Sequence, residues 1–164
     1  MQIRKTRTED LERLMELYED ARVFMRESGN PTQWGTTRPE RARIEQDIRD
    51  GDSYVCTDGD RVLGTFFFKI MEEPTYAKIY EGAWKNDSAY GVIHRIASAR
   101  ESHGVASFCL NWALEEADGH LRIDTHEKNG PMRHVLEKNG FTYRGIIYVA
   151  DGTKRLAYER TSFR

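Results

Sequence analysis

Residues 96–107 place Ile96, Ala97 and Ser98 at the end of a strand-like pattern and Gly104, Val105 and Ala106 at the start of a helical one. A strand that passes through a glycine-bearing loop into a helix leaves unpaired N–H groups and the positive end of a dipole at the loop. Such a turn can bind phosphate, and the small Gly104 and Ala106 let a phosphate reach the backbone. Spacing alone also suits an ordinary turn. A second concentration of chemistry lies on the strand patterns at 92–98 and 121–126. Alternation puts Val92, His94, Ile96 and Ser98 on one face with Arg95 opposite. It puts Arg122, Asp124 and His126 on one face, opposite Leu121, Ile123 and Thr125. Three polar groups on one face of an interior strand are costly to bury without partners. They read either as a polar cleft floor, with Asp124 orienting His126 or His94 as a general base, or as a self-satisfied network pairing Arg122 with Asp124. Trp34 and Trp84 fall in loops outside any periodicity, where a large aromatic either walls a pocket or plugs the core edge.

No metal spacing is present. Asp124, His126 and Glu127 do not follow the helical H-E-x-x-H pattern, and Cys56 and Cys109 sit far apart in apolar segments that suit buried small hydrophobes.

The elements that position these residues follow from periodicity. Leu11, Leu14, Met15, Tyr18, Ala21 and Met25 recur at helical spacing, with Thr8 as the cap and residues 28–31 as the break. A second short helix opens at Pro39, carries Ile44 and Ile48 on one face and stops at Gly51. Residues 53–57 and 61–71 read as a hairpin around Asp58, Gly59 and Asp60. The long connection 72–90 suits a lid or wall, with a further piece of strand at 77–83. A strand at 92–98 leads to a helix from Gly104 to Gly119. A strand at 121–126 and a short helix from Asn129 to Asn139 follow, and strands at 141–149 and 155–160 close the chain. The order β, α, α, β, β, β, α, β, α, β, β predicts a mixed α/β domain.

The 164 residues, 38% hydrophobic and 32% charged, suit one domain with a single core. A net charge of −2 without a basic stripe argues against a nucleic-acid partner. Residues 1–10 are charged and lack the apolar core of a signal peptide, and the apolar run 62–71 is too short to span a bilayer. The expected setting is cytoplasmic, with no membrane partner.

Glu101, Ser102, His103, Gly104, Val105 and Ala106 resemble the phosphate loop of the GNAT family of N-acetyltransferases, usually written Q/R-x-x-G-x-G/A. The stretch from His94 to Ser98 resembles that family's fourth strand. Asn129, Gly130, Pro131 and Met132, with Glu137 to Phe141, resemble its late N-x-x-A…GF segment. The order of elements is similar over essentially the whole chain. The resemblance implies the GNAT fold over residues 1–164. That fold is a mixed, mostly antiparallel central sheet with splayed fourth and fifth strands and helices on both faces. It implies acetyl-CoA as acyl-donor cosubstrate, no metal, and transfer to an amine of a small molecule or peptide by direct attack in a ternary complex.

The resemblance further places pantetheine against Ile96, Ala97 and Ser98 with Asn129 nearby, and the diphosphate on His103, Gly104, Val105 and Ala106. It adds Glu81 to His94 and His126 as candidate bases, and sets Trp34 and Trp84 around the acceptor. Three positions depart from the pattern. Glu101 replaces Gln or Arg, with Arg100 one place earlier; the loop from Ser98 to Gly104 is short; and Leu136 stands where many members carry a thiolate-protonating tyrosine. A general acid at that position is ruled out. The alternative reading is a GNAT-like module that binds CoA or a metabolite without turnover. Exposed strands at the C-terminal end could pair two copies in a homodimer.

Overall fold

The computed structural model describes residues 1–162. The elements run β1 (Gln2–Lys5), α1 (Leu11–Glu27), α2 (Arg41–Arg49), β2 (Ser53–Asp58), β3 (Arg61–Ile70), β4 (Gly91–Ser98), α3 (Val105–Glu116), β5 (His120–Thr125), α4 (Gly130–Lys138), β6 (Thr142–Tyr148) and β7 (Lys154–Thr161). This is the order the periodicity predicts. The strands form one sheet in the order β1-β2-β3-β4-β5-β7-β6. Every neighbouring pair is antiparallel except β4 and β5. Those two pair in parallel only at Gly91 with Leu121 and Val92 with Arg122, and then part.

Helices cover both faces because each carries one apolar stripe. Leu11, Leu14, Leu17 and Tyr18 of α1 pack with Val55, Val62 and Ala97. On the other face Cys109, Leu110 and Ala113 of α3 and Leu136 of α4 meet Phe66, Ile93 and Leu121. Burying a side chain of this size stabilises by about 1.5–3 kcal/mol. Cys56 and Cys109 are both buried free thiols, as expected of small hydrophobes, and they touch each other.

Several local expectations are corrected. Thr8 does not cap α1: it opens a 3-10 turn, Thr8–Asp10, in which the Asp10 carboxylate accepts the Arg7 N–H at 2.7 Å. Helix α2 starts at Arg41, two residues beyond Pro39. Residues 77–83 form no strand; after the 3-10 turn Pro74–Tyr76, Tyr80 bridges the sheet opposite Ile146 and the Ala83 N–H reaches the Arg144 carbonyl at 3.1 Å. Gly82 explains how this segment lies so close to β6, since a Cβ there would sit 1.8 Å from the Arg144 carbonyl oxygen.

The most consequential departure is in β4. His94 faces Phe67 and Ala97 faces Thr65, so two residues of β4 oppose one of β3, and Arg95 takes a φ of 51°. This bulge breaks the alternation. Arg95 therefore shares the α1 and α2 face with His94, bonding Asp47 of α2 at 2.9 Å, while Ile96 packs with the α3 side. The expectation that His94, Ile96 and Ser98 share a face opposite Arg95 fails for this reason.

Candidate active site

The parting of β4 from β5 opens two adjoining cavities. The smaller, about 300 Å³, is lined by Ile96, Ala97, Ser98, Arg100, Ala106 and Val135 among others. The larger, about 540 Å³, is lined by Trp34, His94, Arg95, Asp124 and Arg155 among others. Met25, Ile96, Asn129 and Met132 border both, so the two lie side by side.

The smaller cavity fits a long ligand with an anionic end. Its wall is mostly small or apolar, and from Ile93 onward β4 has no ladder partner on the β5 side. At its end stands the N-terminus of α3, whose first N–H groups have no intrahelical acceptor. The N–H groups of His103 and Gly104 bond to nothing among the described residues. Gly104 adopts the left-handed region at φ 75°, and a Cβ there would meet nothing within 4 Å, so the backbone is open to an approaching phosphate. Asn129 borders the groove, with its side chain already employed. Its Oδ1 accepts the Met132 N–H at 3.1 Å, capping α4, and its Nδ2 donates to Gln33 Oε1 at 3.0 Å.

In the larger cavity His94 Nε2 lies 3.0 Å from Glu73 Oε1. A carboxylate can only accept, so Nε2 carries the hydrogen and Nδ1 holds the lone pair of the neutral ring. The hydrogen bond from His94 is the main reason that the Glu73 carboxyl lies below its ordinary value. Asp124 Oδ2 accepts the Tyr76 hydroxyl at 2.7 Å. Burial, then the charge of Asp124, keeps that hydroxyl protonated well past its ordinary range. Trp34 stands at the wall, edge-on to Tyr18 with ring centres 5.6 Å apart.

A family model described as the acetyltransferase (GNAT) domain matches residues 1–142. The chain belongs to the GNAT acetyltransferase family. A GNAT-family acetyltransferase structure from Streptococcus agalactiae 2603 shares 32% identity and a TM-score of 0.90, covering 99% of this chain and 96% of that one. A GNAT-family acetyltransferase from Listeria monocytogenes 4b F2365 is 20% identical over 98% of this chain and 94% of that one, with a TM-score of 0.68. A ribosomal-protein-alanine N-acetyltransferase from Brucella melitensis is 16% identical over 99% and 100%, with a TM-score of 0.63, a likeness of fold. No curated protein matches the chain. No helix among the described residues is long and apolar enough to cross a membrane.

Within this GNAT chain several expected residues lie elsewhere. Trp84 is not a wall of the cleft: its Nε1 donates to the Tyr76 carbonyl at 2.9 Å, and its ring covers the Arg122 guanidinium at 4.3 Å. Glu81 is exposed and lines neither cavity. His126 sits at the rim, where Nδ1 accepts the Lys128 N–H at 3.0 Å and Nε2 lies 3.4 Å from Thr32 Oγ1. Burial, then Arg155, lowers its pKa. Asp124 orients neither histidine, and Arg122 pairs not with Asp124 but with Glu159 at 2.9 Å. His103 is exposed and Val105 buried, so only the backbone of Val105 is available to a ligand.

Glu73, Tyr76 and Arg155 carry no role in the sequence reading. His120 is 1% exposed and bonds Glu159 at 2.6 Å. Arg155 and Glu159 carried a usable signal, because alternation places both charges on one face of β7.

Proposed function

We propose that the chain is an acetyl-CoA-dependent N-acetyltransferase that transfers an acetyl group directly to an amine of a small molecule or peptide, both substrates being bound at once. The observation that carries this reading is that the two cavities adjoin at Ile96, Asn129 and Met132, which line both. Ile96, Ala97 and Ser98 would hold the pantetheine with Asn129 alongside, and the amides of His103, Gly104, Val105 and Ala106 would hold the diphosphate. Bound there, acetyl-CoA would supply the acetyl group as a thioester. The acceptor would enter the larger cleft between Trp34 and the floor at Asp124.

An alkylammonium titrates near about 10.4 and must lose a proton before its nitrogen can attack. His94 suits that task, since its bond to Glu73 leaves Nδ1 to take the proton. Asp124 favours entry of the cationic amine. Backbone N–H groups on the open stretch of β4 are preorganised donors for developing negative charge. Leu136 is 0% exposed and inert, and a thiol of pKa about 8.5 is a tolerable leaving group without an acid there.

Thiol release from acetyl-CoA across a panel of amines tests the reading. His94→Ala should lower kcat by roughly 10²–10⁴ while acetyl-CoA affinity holds. Undiminished turnover would move the base away from His94. Acetyl-CoA binding without thiol release in the presence of any of the amines would favour the non-catalytic module.

A further inference from the structure

Arg155 stands on β7 two residues before Ala157, which faces Asp124 across the β5–β7 ladder. The two charged residues are thus diagonal neighbours on adjacent strands. Arg155 is 8% exposed and lines the larger cleft. Its Nη1 donates to Thr153 Oγ1 at 3.1 Å and to the Lys154 carbonyl at 2.9 Å. Nη2 reaches only the Gln33 carbonyl, at 3.4 Å. Nε donates to nothing, and no carboxylate pairs with the guanidinium, among the described residues. The Nε and Nη2 edge is the fork that takes a carboxylate through two parallel N–H···O bonds. A guanidinium so buried, with Asp124 near but no carboxylate in ion-pair contact among the described residues, is costly to maintain for packing alone.

The other arginines of the cleft differ. Arg95 is engaged with Asp47 at 2.9 Å, and Arg38 faces Asp151 at 3.5 Å.

We infer that the acceptor is an amino acid or a close analogue, its ammonium drawn to Asp124 and its carboxylate clamped by Nε and Nη2 of Arg155. This rests on the acetyltransferase reading above and narrows its acceptor. The opposite charges of Asp124 and Arg155, side by side on the floor, match the opposite charges of a zwitterion.

The test is calorimetric titration of the CoA-loaded protein with α-, β- and γ-amino acids and with the carboxamide of each. At least one acid should bind roughly ten- to a hundredfold more tightly than its carboxamide. In Arg155→Gln that difference should collapse, and Arg155→Lys should restore part of it, since lysine keeps the charge and loses the fork. Equal affinity of every acid and its carboxamide in the unaltered protein, or binding by neither, overturns the assignment without any variant having to fold. Acetyl-CoA is titrated alongside. If it binds and the acids show no preference, only the carboxylate assignment falls; if it does not bind, the acetyltransferase reading falls as well.

Discussion

His94 and Glu73 lie 21 positions apart in the chain, yet meet at 3.0 Å because the connection after β3 folds back over the sheet. Glu73 touches no substrate in this account; it is a positioning residue that selects the tautomer of His94. Glu73→Gln offers an amide that can donate as well as accept, which frees the ring to adopt the other tautomer. Turnover should fall by about tenfold or more, with the KM for acetyl-CoA little changed, and Glu73→Asp should recover part of the loss. A Glu73→Gln enzyme with unaltered kcat would mean that the pair is only structural. At this scale the position of His94, Asp124 and Trp34 at one cavity was legible, because alternation or an aromatic outside any periodicity marks them. Glu73 was not, since a charged residue beside a loop proline looks like any solvated one.

Among the elements, β4 and β7 do the positioning. The bulge at Arg95 re-aims β4, so that one strand offers Ile96 to the α3 side and His94 with Arg95 to the acceptor side. Strict alternation could not foresee it, because a bulge is set by the pairing of two strands and not by a local pattern. Strand β7 contributes Glu159, 1% exposed, which bonds His120 at 2.6 Å, Arg122 at 2.9 Å and Arg144 at 3.0 Å. It also accepts the Lys85 N–H at 2.9 Å, tying β5, β6 and the connection together behind the cleft. Burial alone would raise the Glu159 carboxyl; the bonds from His120, Lys85 and Arg122 outweigh it and hold the group at about 2.

That value lies below the roughly 4.3 of an unfolded glutamate. The stability Glu159 contributes is therefore complete above about pH 4.3 and is lost as pH falls toward 2. Glu159→Gln should cost about 3–5 kcal/mol in denaturant unfolding near neutral pH, because it leaves buried cations without their anion. The variant should also lack that acid-induced loss. A variant as stable as the parent would show that the network is not load-carrying in the fold.

For the whole molecule, the alternation of helical and strand periodicities was enough to order the elements, and among the described residues seven strands and four α-helices follow that order. The pairing was beyond periodicity; it was the family resemblance that implied a mostly antiparallel sheet with its fourth and fifth strands splayed, as β4 and β5 are. Which strands meet, and that β4 and β5 stay paired for only two positions, depends on contacts between distant segments. The opening left by that short pairing is where the two cavities adjoin, and it underlies the proposed chemistry.

The central claim is that this opening holds acetyl-CoA, and calorimetric titration of the purified protein with acetyl-CoA tests it most directly. The account predicts saturable binding of one acetyl-CoA per chain. It also predicts affinity weakened by about tenfold or more in Gly104→Asp and by less in Gly104→Asn, since both side chains strain the left-handed backbone at φ 75° alike and only aspartate adds a charge that opposes a diphosphate. Absence of saturable binding, or equal affinity in Gly104→Asp, would contradict the placement of the donor between β4 and β5.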